Sequence, residues 1–127
     1  MRVFFAVAAL VVAVSVGSAS AAGVEPIEGA YKGTTSQGTS VYFGVSGGTV
    51  INPRFTVVWG ECGRNTAHYK TASDELDESG HFSIDTGQTV LEGDFVDPDR
   101  VEGTAIFRHH RLAGCPRRAV HYTARLR

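Results

Sequence analysis

Residues 39–51 read TSVYFGVSGGTVI, and this stretch indicates how the chain folds. Val41, Phe43 and Val45 alternate with polar or small residues, which is the period of a half-buried β-strand. Gly47-Gly48 then makes a two-residue turn, and residues 49–51 resume an extended segment. The stretch therefore predicts two antiparallel strands joined by a hairpin turn.

The same alternation recurs along most of the chain, and no segment after residue 21 has the helical period. Asn52-Pro53 interrupts the third segment, which predicts a bulge or an edge there, and the acidic residues 73–80 are expected to form a loop. The predicted strands cover residues 29–35, 39–46, 49–51 with 55–61, 65–71, 81–85, 88–96, 100–109 and 119–127. The sequence thus predicts an all-β fold of about eight short antiparallel strands, in a meandering small barrel or a two-layer sandwich, with the last strand tied into the sheet.

The first residues have the three parts of a secretory signal peptide. Arg2 precedes a run over residues 3–16 that is apolar except for Ser15, and an A-x-A site follows at Ala19-Ser20-Ala21. The run is shorter than the roughly 20 residues of a membrane-spanning helix, so it is expected to be removed near Ala21-Ala22. The expected organisation is a signal peptide over 1–21, an N-terminal segment over 22–28 and one β domain over 29–127, secreted and not membrane-spanning.

Charge is unevenly distributed, although the 127-residue chain has a formal net charge of only −1. Every charged residue from Asp74 to Asp99 is acidic, whereas the stretch from Arg100 to Arg127 has seven arginines and one glutamate. The two regions could neutralise each other across strands, or the second could bind an anionic polymer or small anionic ligand. The candidate binding residues are Arg108, His110, Arg111, Arg117 and Arg118. Nucleic acid is not expected as the partner, because the domain is not basic overall and aromatic residues do not interleave with the arginines.

Two cysteines are present, Cys62 and Cys115. An even number in an exported protein favours a disulfide, although a metal pair or two free thiols are alternatives. A metal site would need His109, His110 or His121 as further ligands, and no C-x-x-C spacing supports one.

No motif in the chain predicts catalysis, a metal or a cofactor. Gly44-Val45-Ser46-Gly47-Gly48 fits the G-x-S-x-G pattern, but that nucleophile elbow needs a helix after the turn, and here a strand follows. His109 and His110 are neighbours on a predicted strand and point to opposite faces, so they cannot chelate one ion together. The acidic loop over residues 74–80 has enough carboxylates for calcium but lacks the spacing of an EF-hand loop. Asp94, Asp97 and Asp99 form a second acidic group around a proline turn, and both groups are expected to be solvated loops.

The turn and core motifs resemble those of short exported bacterial proteins that are common in actinobacteria. Residues 29–38 fit G-x-Y-x-G-x-T-S-Q-G, residues 41–48 fit V-x-F-x-V-S-G-G, and Cys62 and Cys115 occupy the two cysteine positions of that pattern. The resemblance implies the fold and no activity. The chain also resembles the small eight-stranded barrels of avidins and lipocalins, although their early G-x-W is Gly29-Ala30-Tyr31 here.

These features lead us to expect a non-catalytic binding or structural module with a basic C-terminal surface. The alternatives are a small-molecule carrier of the avidin or lipocalin kind and a small secreted hydrolase.

Overall fold

The computed structural model describes residues 24–108 and 115–127. The signal peptide predicted over 1–21, together with His109, His110 and Arg111, lies outside the described residues. The described part of the chain contains one 3-10 turn, Gly60–Cys62, and no α-helix. Its nine strands are β1 (Gly29–Thr35), β2 (Ser40–Ser46), β3 (Thr49–Val58), β4 (Arg64–His68), β5 (Ser73–Glu75), β6 (His81–Asp85), β7 (Thr89–Asp97), β8 (Arg100–Phe107) and β9 (Arg118–Leu126).

All nine strands belong to one antiparallel sheet with the order β4-β3-β2-β1-β9-β8-β7-β6, and β5 pairs with β3. The chain meanders through neighbouring strands on either side, and the last strand closes the gap between β1 and β8. The prediction that the C-terminal strand is tied into the sheet is therefore confirmed.

The sheet curls into a half-barrel around an aromatic core, so the all-β prediction is confirmed. Aromatic rings meet inside the curl. Tyr31 stacks on Phe43 of the neighbouring strand with centroids 5.4 Å apart, and Phe43 lies 5.5 Å from Phe82 on β6, which is far from β2 in the sheet order. Phe107 contacts both Phe55 at 5.5 Å and Trp59 at 5.2 Å. These rings are buried together with aliphatic side chains such as Val41, Val57 and Leu91, and removing this apolar area from water stabilises the domain.

The hairpin predicted from residues 39–51 is confirmed. Ser46 pairs with Thr49, and Gly47 and Gly48 between them have φ of 59° and 76°. Two successive positive φ angles define the type I′ turn, whose twist matches that of the strands it joins. Ser46 of the G-x-S-x-G pattern thus lies in a β-turn.

The bulge predicted at Asn52-Pro53 is also confirmed. The β2–β3 register shifts between Tyr42 and Gly44, and Asn52 has a φ of 52°. Because side chains alternate with a period of two, one extra residue reverses which positions face the core. Arg54 is therefore exposed, and Phe55 is buried.

The loop expected over residues 73–80 is wrong in its first part, since residues 73–75 form β5. β3 is ten residues long, and β4 covers only its second half, from Arg54 to Val58. Residues 49–51 would otherwise leave backbone groups unpaired, and β5 pairs with them. Neighbouring β6 is linked to β5 by the Ser83 N–H, which donates to Asp74 Oδ2 at 2.8 Å.

Candidate anion-binding surface

The register of the sheet aligns basic side chains across its outer face. Tyr42 pairs with Arg54 on one side and Lys32 on the other, Lys32 pairs with Arg125, and Arg125 pairs with Arg100. At the far end, His68 pairs with Arg54. We call this line the basic row; its members are His68, Arg54, Tyr42, Lys32, Arg125 and Arg100, one from each of six neighbouring strands.

The basic row faces solvent because its neighbours along each strand face the core. Val41 and Phe43 flank Tyr42, Tyr31 precedes Lys32, and Ala124 precedes Arg125; all four are buried. Lys32, Arg54, His68 and Arg125 are exposed, whereas Tyr42 and Arg100 are half-buried. Adjacent strands lie about 4.7–4.9 Å apart, so the cations stand close together.

The cations in the middle of the basic row form no ion pair with the described residues. Among the described residues, Lys32, Arg54 and Arg125 form no ion pair, while Arg100 contacts Asp97 at 3.2 Å and Glu102 at 3.8 Å. The Lys32 Nζ lies 5.7 Å from the centroid of the Tyr42 ring, a cation–π contact. Like charges directly opposite each other on neighbouring strands destabilise a sheet. A bound anion would relieve this repulsion.

A groove adjoins the basic row on the same face. One depression of about 500 Å³ lies over β1, β8 and β9, and a second of about 340 Å³ lies over β1 and β9. They share Thr34 and Thr123, so we treat them as one groove. The first depression is lined by Thr34, Thr35, Ser36, Glu102, Gly103, Thr104, His121, Tyr122 and Thr123, and the second by Lys32, Gly33, Thr34, Thr123 and Arg125.

Two glycines in the lining allow neighbouring backbones to approach closely. A Cβ on Gly33 would lie 1.8 Å from the carbonyl oxygen of Thr123, and one on Gly103 would lie 2.0 Å from that of Glu92. The space beside Gly103 is filled from the core side by Tyr122, whose hydroxyl donates to the Glu92 carbonyl at 2.9 Å. Burial raises the pKa of Tyr122 well above its ordinary value, which keeps this donor protonated.

The basic residues predicted from the sequence are only partly available. Arg108 is exposed but paired with Asp85 through two hydrogen bonds of 3.0 and 2.9 Å. Arg117 is exposed, and Arg118 is half-buried at the start of β9. The Arg118 Nε is buried without a hydrogen-bond partner among the described residues. His110 and Arg111 lie outside the described residues.

The acidic side chains mostly stabilise turns and neighbouring strands. Asp77 Oδ1 accepts the backbone N–H of Ser79 and His81 and the Ser79 hydroxyl, at 2.7–2.9 Å. The His81 N–H and then the Ser79 hydroxyl lower the pKa of Asp77.

The Gly87 N–H and then Arg108 lower the pKa of Asp85. Asp94 contacts His81 Nδ1 at 2.8 Å. In the part of the chain that the structure describes, no three His, Cys, Asp or Glu side chains converge as metal ligands.

The disulfide predicted between Cys62 and Cys115 is confirmed. It ties the 3-10 turn after β3 to the segment that enters β9. Next to it, the buried Trp59 indole N–H donates to the Pro116 carbonyl. Residues 24–108 and 115–127 contain no helix with the length and hydropathy of a membrane span.

The binding residues predicted from the sequence include no member of the basic row. Three of its members, Arg100, Tyr42 and Arg125, fall on outward positions of the predicted strands, and the alternation of side chains predicts that these three face solvent. What joins them is the pairing of β1 with both β2 and β9, which alternation within a strand does not specify.

No protein family, curated protein or solved structure matches this chain.

Proposed function

We propose that the protein is an exported, non-catalytic binding module that holds an anionic polymer on the basic row. The observation that carries the proposal is the set of three exposed cations, Lys32, Arg54 and Arg125, without acidic partners among the described residues. A polyanion laid across the strands would contact them in succession. Export is supported by the signal-like residues 1–21 and by the disulfide, which is typical of oxidising compartments.

Binding on the outer face is supported further by how the inside of the curl is filled. Stacked and edge-on aromatic rings occupy it, with Tyr31 in contact with both Phe43 and Phe95 at 5.4 Å. A carrier of the avidin or lipocalin kind would need that space for its ligand. A hydrolase would need a nucleophile beside a base, and Ser46 lies in an exposed turn.

The test is the affinity for labelled heparin, used as a polyanionic probe, as a function of salt concentration. The wild-type protein should bind with a log affinity that falls linearly with log salt, because binding releases counterions from the polymer. Replacing Lys32→Gln and Arg125→Gln together should weaken binding roughly tenfold, since each exposed charge contact is worth up to about 1 kcal/mol. The salt slope should also become shallower by about two, one for each lost cation.

Two double variants with the same change in charge serve as controls. Arg64→Gln with Lys70→Gln alters exposed residues outside the basic row. Arg111→Gln with Arg117→Gln alters the C-terminal surface predicted from the sequence. Both should bind heparin as the wild type does, with unchanged circular dichroism. The proposal is wrong if either control loses as much affinity as the variant of the basic row. It is also wrong if the affinity of the wild-type protein does not change with salt concentration.

A further inference from the structure

The groove beside the basic row contains hydroxyl groups that have no hydrogen-bond partner among residues 24–108 and 115–127. Thr34 pairs with Thr123 across β1 and β9, and Thr104 pairs with His121 across β8 and β9. The side-chain hydroxyls of Thr34, Thr104, Thr123 and Ser36 form no hydrogen bond with any described residue.

Other pairs of neighbouring threonines are hydrogen-bonded to each other. Thr35 and Thr39 share a hydrogen bond of 2.6 Å, Thr86 and Thr89 one of 2.7 Å, and the exposed pair Thr56 and Thr66 one of 2.8 Å. Thr34 and Thr123 are directly opposite each other on paired strands, as Thr56 and Thr66 are, but they do not form a hydrogen bond with each other. Their hydroxyls are available to a ligand in the groove.

The chemistry of the groove distinguishes between kinds of anion. A hydroxyl can both donate and accept a hydrogen bond, whereas an ionised carboxylate only accepts. Glu102 pairs with Thr123 and lines the same groove, so the groove offers acceptors as well as donors. A sugar ring has hydroxyls that can donate to Glu102. A bare phosphate chain has only acceptors and would be repelled there, which gives selectivity by unfavourable contact.

We infer that the anionic polymer is an acidic polysaccharide whose hydroxyls lie in the groove between β1, β8 and β9 while its acid groups reach Lys32 and Arg125. This inference rests on the proposed function and names its ligand class. Lys32 and Arg125 line the end of the groove that adjoins the basic row, and Glu102 and His121 line the other depression. One ligand can therefore contact the cations and the hydroxyls at the same time.

The test compares two probes of equal charge, an oligogalacturonate and a linear polyphosphate, at one ionic strength. The wild-type protein should bind oligogalacturonate at least about tenfold more tightly, the discrimination that two or three extra hydrogen bonds provide. Thr34→Val with Thr123→Val keeps the β-branched shape and removes both hydroxyls. This variant should lose roughly tenfold affinity for oligogalacturonate and less than about twofold for polyphosphate. Glu102→Gln should bind polyphosphate more tightly than the wild type does.

The matched control is Thr66→Val, an exposed threonine on the outer face of β4. It should bind both probes as the wild type does. If polyphosphate binds as tightly as oligogalacturonate and Lys32→Gln with Arg125→Gln weakens both, the proposed function stands and the assignment to polysaccharide is wrong. If neither probe binds the wild-type protein, both are wrong. Equal losses of both probes in the threonine variant would also overturn the assignment.

Discussion

At the scale of single residues, Gly33 has the most demanding environment in the groove. It lies in the middle of β1 opposite Ala124 and its φ is not unusual. Glycine is therefore required here because a neighbouring backbone is close, and not because of the backbone conformation. The nearest atom to a Cβ there would be the Thr123 carbonyl oxygen at 1.8 Å. A backbone oxygen in a paired strand cannot move aside as a flexible side chain can.

Gly33→Ala should therefore lower the free energy of unfolding by more than about 3 kcal/mol, at or beyond the upper end for overpacking. Gly44→Ala is the matched control, since its Cβ would lie 3.3 Å from the side chain of Ile51 and no nearer than 3.9 Å to a backbone atom, the Gly29 carbonyl oxygen. That variant should stay within about 1 kcal/mol of the wild type. Urea unfolding of the two variants measures the difference, and equal stabilities would show that β1 and β9 are not so close at this point.

At the scale of elements, the turn from β5 to β6 depends on one carboxylate. Asp77 is fully exposed, yet its Oδ1 accepts three hydrogen bonds that fix residues 77–81. These bonds lower the pKa of Asp77 in the folded state, led by the His81 N–H. A lowered folded-state pKa means that this contribution to stability is present above the unfolded pKa of about 3.9 and is lost as the pH falls through the folded value.

Asp77→Asn should accordingly flatten the decline of stability with acid. The measurement is urea unfolding from neutral pH down to about pH 2, which lies below the unfolded pKa of aspartate. Glu78→Gln is the control, because its exposed carboxylate forms no hydrogen bond with any described residue, and its profile should follow the wild type. If the free energy of unfolding of Asp77→Asn declines with acid as steeply as that of the wild type, the turn does not depend on this carboxylate.

The elements also show how far sequence patterns reach. Three features follow from local chemistry and were predictable. They are the alternation at Val41, Phe43 and Val45, the Gly47-Gly48 turn and the Asn52-Pro53 bulge. β5 was not predictable, because Ser73–Glu75 becomes a strand only when it pairs with the free half of β3. The basic row was missed for a similar reason. Lys32 and Arg125 lie side by side only because the last strand pairs with the first. This long-range strand pairing cannot be predicted from the residues that flank Lys32 or Arg125 in the sequence.

At the scale of the whole molecule, the disulfide closes a long segment of the chain. Cys62 and Cys115 are 53 residues apart in sequence, and the segment between them includes β4 to β8. For a loop of that length, the entropy lost by the unfolded chain corresponds to about 4 kcal/mol. Net stabilities of single domains are about 5–15 kcal/mol, so the bond supplies a large share.

Replacing both cysteines by serine should thus lower the free energy of unfolding by about 4 kcal/mol. The measurement is urea unfolding of the double variant beside the oxidised wild type. The wild type under a strong reductant is the matched control and should lose a similar amount. A loss below about 1 kcal/mol would indicate that the sheet holds its closure without the bond.

Where a polyanion binds on the whole molecule can be located by an NMR titration, and we expect it on the basic row. Backbone amide shifts would be followed while a heparin oligosaccharide is added to the ¹⁵N-labelled protein at low salt. The largest changes should centre on Lys32, Tyr42, Arg54 and Arg125, which come from four neighbouring strands. At the same oligosaccharide concentration they should be clearly smaller in Lys32→Gln with Arg125→Gln, because that variant binds about tenfold more weakly. Changes centred instead on Arg108 and Arg117, or on core residues inside the curl, would contradict the proposal.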